Sequence, residues 1–348
     1  MPKNMPKNIP KNMLNVCVIG MGAIGNLHAR IYNERDDCRL LAVCDRQEDR
    51  ARAGGELHNT KWYLSAVDML ANEKPDLVSV ATGGFEYSSD HYEPTMQAIR
   101  AGCHVLGEKP ISNDINLGAE MVRAAKEAGV CYALDLNHRF TPAARAAKGW
   151  QDEGRIGELL FCNMALWIGR PEPLETPYYH LKALNPHSVD IMRYFMGEVE
   201  EVQAYAMVAS GRNIYSTASI NMKFECGAVG HLTSSYDIVR GHPMERCEVA
   251  GRGGRLVFED MWREAVLYPA GDLEKRVFTN PVFGGFSNFD DTFRDRIGCF
   301  VEELKRGAAP ADIDGSAESG LAAQRVIHAA IASLKRGGAC VRVADVTE

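Results

Sequence analysis

In the first part of the chain, short apolar runs alternate with amphipathic stretches. Asn15 to Gly20, Arg39 to Cys44, Lys61 to Tyr63, Leu77 to Thr82, the run entering Lys109, and Cys131 to Leu136 each read as a strand. Most are apolar throughout, the pattern of strands buried on both faces. Between them, helical periodicity runs from the glycines after Ile19 to about Asn33, then over Arg46 to Glu56, Ser65 to Asn72, Ser89 to Ala101 and Asp114 to Ala128. Gly102 and Gly129 supply stop signals for the last two. This repeated β-α order predicts an α/β fold with a doubly wound parallel sheet, whose ligands lie outside the carboxyl ends of its strands. Gly20, Asp45, Thr82, Lys109 and Asn137 all fall at such ends.

The pattern changes after the run Asn137-His-Arg-Phe-Thr-Pro142. Leu159 to Trp167, Glu200 to Val208, Ser216 to Phe224, Ala228 to Asp237 and Glu245 to Ala250 read as strands joined by turn residues, which predicts a mostly antiparallel sheet. One helix interrupts them, with Asn185 as N-cap, Pro186 at its first position and Gly197 as its stop. That places His187 in a first turn, where the helix dipole favours neutral imidazole, and Asp190 one turn on, where it can orient the ring. Thr292 to Lys305 and Ala317 to Leu334 read as helices, and Cys340 to Val343 as an edge strand. The expected division is a disordered tail over 1–13, a Rossmann domain over 14–140 and a second domain over 141–348.

The first turn carries specific chemistry. Gly20, Gly22 and Gly25 form G-x-G-x-x-G between a strand and a helix. Gly20 permits the turn, Gly22 lets the backbone approach a pyrophosphate, and Gly25 lets the helix pack close to the strand. The first helical N–H groups, around Ala23 and Ile24, would then face the phosphates. Asp45 ends the second strand, where a carboxylate can accept hydrogen bonds from an adenosine ribose. It also satisfies the role of a cap for the following helix. A carboxylate there repels a 2′-phosphate, which favours NAD over NADP, although Arg46 could stack on adenine or pair with a 2′-phosphate and so leaves NADP open.

Composition narrows the partners. At 348 residues, with 46% hydrophobic and 24% charged positions, the chain has the make-up of a soluble protein of two domains. A net charge of -7 gives no electrostatic reason to bind nucleic acid or an anionic membrane. No apolar run approaches the roughly 20 residues that span a bilayer. The ten cysteines are dispersed, without C-x-x-C or zinc spacing, so free thiols in a reducing cytosol are expected rather than disulfides or a metal site. The N-terminal repeat MPKN-MPKN-IPKN lacks a signal-peptide core, and a cytoplasmic location is expected.

Four features then coincide in order: the glycine turn, Glu108-Lys109-Pro110, the N-x-R-x-x-P run from Asn137 to Pro142, and His187-x-x-Asp190 before Gly197. Together they resemble the Gfo/Idh/MocA family of NAD(P)-dependent sugar and polyol oxidoreductases. The resemblance implies a Rossmann domain followed by a substrate-binding α/β domain with a large open sheet that forms homodimers or homotetramers. It implies Lys109 and His187 as acid/base residues near the nicotinamide, with Glu108 contacting the cofactor or positioning the lysine. Thr82 and Asn137 join the expected cofactor contacts. Trp167, Arg170, Tyr178, Tyr179, His180 and Asn185 are candidates for contact with a polyhydroxylated substrate.

Two positions depart from the family pattern. Ala183 stands where an aspartate commonly precedes the histidine by four residues, and Thr82-Gly-Gly-Phe replaces the usual Thr-Pro-Asn. Either Lys109 and His187 suffice, or Tyr179, His180, Lys182 or Asn185 takes the aspartate's part, or redox activity is lost. Three functions remain in view: a dehydrogenase of a sugar, sugar derivative or cyclitol; an NAD-dependent enzyme that cleaves glycosides by oxidation and elimination; and a non-catalytic NAD-binding protein.

Overall fold

The computed structural model describes residues 13–84, 90–169, 176–239, 244–260, 263–281 and 284–346. The tail before Met13, and Arg170, lie outside them. The chain forms two compact units, Met1–Asp135 with Phe293–Leu321, and Leu136–Thr292 with Ala322–Glu348.

The first unit alternates as its pattern predicts: β1 (Leu14–Ile19), α1 (Ala23–Asn33), β2 (Cys38–Cys44), α2 (Glu48–His58), β3 (Lys61–Tyr63), α3 (Ala66–Glu73), β4 (Leu77–Val80), α4 (Tyr92–Arg100), β5 (His104–Gly107), α5 (Ile115–Ala128) and β6 (Tyr132–Leu134). The six strands lie in the order β3-β2-β1-β4-β5-β6, and every pairing is parallel. The order reverses beside β1, which is the switch point of a doubly wound sheet. Val16, Val18, Leu77, Leu106 and Ala133 supply fully buried strand positions. Local signals open two of the helices: Ser65 caps α3 by accepting from the Asp68 N–H, and Asp114 caps α5 by accepting from the Asn116 and Leu117 N–H groups.

In the second unit, α6 (Pro142–Asp152) leads to β7 (Leu159–Trp167) and α7 (Tyr179–Met196). Then follow β8 (Val199–Met207), β9 (Thr217–Phe224), β10 (Val229–Ser235), β11 (Glu245–Gly251), β12 (Gly254–Glu259), β13 (Glu264–Pro269) and β14 (Arg276–Thr279). After α8 (Asp290–Lys305) and α9 (Ala317–Lys335), β15 (Val341–Arg342) pairs with β8. The nine strands run β14-β13-β12-β11-β7-β10-β9-β8-β15, antiparallel except for β7 beside β10. Leu181, Val189, Ile191, Met192 and Phe195 of α7 pack in one core with Cys162, Met164, Ile220, Met222, Leu232 and Val249 from the sheet. Among the described residues no helix is long and apolar enough to cross a membrane, and none of the ten cysteines is in a disulfide.

The structure differs from the sequence expectation in four places. First, α6 had not been expected, although Thr141 caps it by accepting from the Ala144 N–H and Pro142 opens it. Second, β12 to β14 extend the sheet; Leu256-Val257-Phe258 and Ala265-Val266-Leu267 are buried without alternation and β14 is mostly exposed, so none of the three shows the period-two pattern of a strand with one wet face. Third, the helix bearing His187 begins at Tyr179, with Pro186 inside it. Proline removes one helical N–H, but Leu184, Asn185, Pro186 and His187 are all buried, and this packing overrides the local start signal. His187 is therefore well inside the helix, and the first-turn dipole argument for it falls. Fourth, Phe293, Ile297, Phe300 and Val301 of α8 pack against Val16, Ile31 and Tyr32. This return of the chain to the first unit has no counterpart in a division at residue 140.

Candidate active site

In the first unit the chain leaves β1 through Gly20, at a φ of 94° that favours glycine. A Cβ on Gly20 would lie 2.7 Å from Ala81 and Thr82 backbone atoms, and one on Gly25 would lie 1.6 Å from the Gly20 carbonyl oxygen. Around the same point on Gly22 there is open space to 4 Å. Gly20 and Gly25 thus meet the steric demands their spacing predicts, and the space beside Gly22 is open. The N–H groups of Ala23, Ile24 and Gly25, at the start of α1, have no intrahelical acceptor and are available to an anion. Gly25→Ala is expected to force the turn apart at about 1–3 kcal/mol. A calorimetric titration should then show NAD binding weakened about 10- to 100-fold.

Asp45 ends β2 and is buried. Its Oδ2 accepts from the Met21 N–H at 2.8 Å, and its Oδ1 from the Gln47 N–H at 2.9 Å. One oxygen steadies the glycine turn and the other holds the segment entering α2; the N-cap position of α2 is Gln47, so Asp45 is not the helix cap expected as an alternative. Arg46 is exposed. At the end of β4, the Thr82 hydroxyl donates to the Asp90 carbonyl at 2.8 Å. The buried His91 ring lies 2.9 Å from the Thr82 carbonyl and 2.7 Å from that of Pro110. It ties the segment after β4 to the segment after β5.

Glu108 and Lys109 follow β5 directly. The Glu108 N–H donates to Val80, its side chain is buried, and its Oε2 accepts from the Lys109 N–H at 3.3 Å. The Lys109 side chain is half-buried. Gly20, Gly22, Gly25, Asp45, Thr82, Glu108 and Lys109 therefore share the carboxyl edge of one sheet.

In the second unit, the Asn137 amide donates to the Thr292 hydroxyl at 2.7 Å. The His138 ring stacks on His187 with centroids 4.0 Å apart and planes at 7°. Its Nδ1 lies 3.1 Å from Glu245 Oε1, with both groups buried. Asp190 grips Arg139 through both oxygens, one at 2.8 Å from Nε and the other at Nη2. The ring expected to be oriented by Asp190 is thus faced by His138. That residue lies in the Asn137 to Phe140 run, whose spacing had drawn attention only to its neighbours.

The other candidates separate. Tyr179 is buried in an apolar cluster with Leu166, Leu184, Ile214 and Tyr236, and Ala183 packs against it. His180 is fully buried beside Tyr236. Burial pushes its pKa down to about 4 against the pull of Asp237, so the ring is neutral at pH 7. Asn185 is fully buried, Lys182 and Tyr178 are half-buried, and Trp167 is half-buried at the end of β7.

An oxidoreductase family with an NAD-binding Rossmann fold, GFO_IDH_MocA, matches residues 14–136, and the family's C-terminal domain matches residues 144–257. The chain belongs to this family. A myo-inositol 2-dehydrogenase of Thermotoga maritima is 29% identical over 337 residues, covering 92% of this chain and 96% of the relative. An NAD-binding oxidoreductase from Klebsiella pneumoniae superposes with a TM-score of 0.85 at 23% identity, covering 97% of this chain and 100% of that one. A levoglucosan dehydrogenase, solved with NADH and levoglucosan, superposes with a TM-score of 0.83 at 20% identity, over 95% and 99% of the two chains. As a member of the family the chain is an NAD-binding oxidoreductase. Its first unit fits that cofactor: open space beside Gly22 at the start of α1, where helix N–H groups lack an intrahelical acceptor, and a carboxylate at the second strand's end.

Proposed function

We propose that this oxidoreductase moves a hydride between the nicotinamide and a secondary alcohol or ketone of a sugar, sugar derivative or cyclitol, with Lys109 and His187 handling the proton. The observation that carries the proposal is Lys109 at the carboxyl end of β5, on the same sheet edge as the glycine turn and Asp45. Bound NAD supplies the hydride acceptor. The Lys109 amine takes the hydroxyl proton as the carbon is oxidised and returns it in reduction. His187, held flat by His138, hydrogen-bonds the substrate oxygen or shares that proton. The substrate class is supported by the names of the relatives, a myo-inositol 2-dehydrogenase and a levoglucosan dehydrogenase.

Ala183 favours a second reading, because a site without the usual carboxylate could oxidise transiently, eliminate a neighbouring substituent and return the hydride. A panel of sugars, glycosides and cyclitols with NAD separates the two. NADH accumulating in step with substrate is expected, whereas glycoside cleavage without net NADH would establish elimination. Tight NAD binding with neither outcome would overturn both and leave a non-catalytic NAD-binding protein.

A further inference from the structure

Beneath the Glu108-Lys109 turn lies a set of buried charged groups that the hydride chemistry does not use. His28, on α1, is fully buried. Its Nδ1 lies 2.7 Å from the Ser79 hydroxyl of β4, and its Nε2 lies 3.3 Å from both Glu108 Oε1 and Asp135 Oδ2. We propose that His28 is a positioning residue for Lys109: as a buried cation between Glu108 and Asp135, it holds the Glu108 carboxylate and, through it, the backbone N–H of Lys109. The proposal rests on Lys109 being the proton-handling residue.

The surroundings support a charged ring. Around it are Ser79 from β4, Glu108 after β5, Asp135 after β6, Phe293 edge-on from α8, Arg296 from α8 acting on Asp135, Tyr32 one turn on along α1, and Lys109 acting on Glu108. Two carboxylates with no cation between them could not both stay ionised at this burial. Burial pushes the His28 pKa down, but Asp135 and Glu108 outweigh it and raise the value from 6.5 to about 9. Burial and then the neighbouring Glu108 raise Asp135 to about 6, while His28 holds Glu108 low against its burial. Above the Asp135 value, the cluster therefore has one cation seated between two anions. Since the folded-state value of His28 lies above its ordinary one, its contribution to stability is complete below 6.5 and lost as the pH rises through about 9.

Arg296 fixes the segment that carries Asp135. Its Nε donates to the Leu134 carbonyl at 2.8 Å and its Nη2 to the Gly315 carbonyl at 3.2 Å. The Asp135 N–H donates to Gly107, the residue before Glu108, at 2.8 Å. The imidazole thus sits between two strand ends that are already bonded to each other, with its Nε2 at ion-pair distance from both side chains.

Two measurements test this on the full chain. Isotope-labelled histidine NMR, with His28→Gln assigning the signal, should show both ring nitrogens of His28 protonated between about pH 7.5 and 8.5, where an ordinary histidine is neutral. A neutral ring overturns the proposal. So does one equivalent of transition metal in the purified protein, because the imidazole would then be a ligand rather than a cation. In His28→Gln, kcat should fall about 10²-fold with the KM for NAD unchanged; a folded variant within twofold of wild-type kcat (about the error of such a comparison) overturns it as well. The NMR measurement reads the native cluster even if the variant does not fold. It also stands apart from the function proposal, since retained turnover in a Lys109 variant would defeat that proposal without altering the protonation of His28.

Discussion

Lys109→Met is expected to lower kcat by about 10²- to 10⁴-fold and to leave NAD affinity unchanged. Methionine keeps the length of the half-buried stem and removes only the amine. Two contacts of the turn do not use the Lys109 side chain, the Glu108 N–H to the Val80 carbonyl and the Lys109 N–H to Glu108 Oε2, and these survive the substitution. The glycine turn and Asp45 lie at the ends of β1 and β2 and are untouched. Single-turnover measurement of NADH formation, beside a fluorescence titration of NAD, separates chemistry from binding. Retention of turnover within tenfold (about 1.4 kcal/mol) would remove Lys109 from proton handling. His187→Asn should fall in the same direction, and the double variant should lose much less than the product of the two, because groups that serve one proton are not independent.

The parts of this protein that the sequence made legible are those where one residue type answers one local demand. Gly20 and Gly25 stand where any Cβ would strike backbone, and a buried strand before them left little choice of fold. Asp45 was legible as the residue at the second strand's end, but not its bonds to the Met21 and Gln47 N–H groups, which depend on the glycine turn lying beside it. The start of α7 was misread because Asn185-Pro186 is a strong local start signal, whereas packing around the whole helix decides where it begins.

His138 and His28 show a different limit. Periodicity predicts that a histidine on an apolar face is buried, but not what it meets there. Glu245 is 107 positions from His138 along the chain, and Glu108 and Asp135 reach His28 only once β5 and β6 lie side by side. His91 escaped for the same reason, since its two carbonyl partners, Thr82 and Pro110, belong to segments that follow adjacent strands. Such partnerships are properties of the sheet order, and no local spacing encodes them.

Asp190→Ala is expected to destabilise the protein by about 3–5 kcal/mol, read by chemical denaturation. The carboxylate is buried, and so is the Arg139 guanidinium that it holds through two parallel bonds. Removing the anion leaves a desolvated cation whose remaining neighbours include the Tyr194 ring, 4.9 Å away, and a ring face replaces little of a lost carboxylate. Arg139→Met should cost a similar amount for the opposite reason, and Arg139→Met with Asp190→Leu should cost far less than the sum, since an apolar pair leaves no unpaired charge behind. The comparison also decides what orients His187. Sequence spacing gave that task to Asp190, one turn along the helix. The structure commits both Asp190 oxygens to Arg139 and places His138, held by Glu245, against the His187 ring. Asp190→Asn, assayed under conditions where it is folded, should therefore keep the wild-type pH profile of kcat, while His138→Ala should shift it. The reverse pattern would return the orienting role to Asp190.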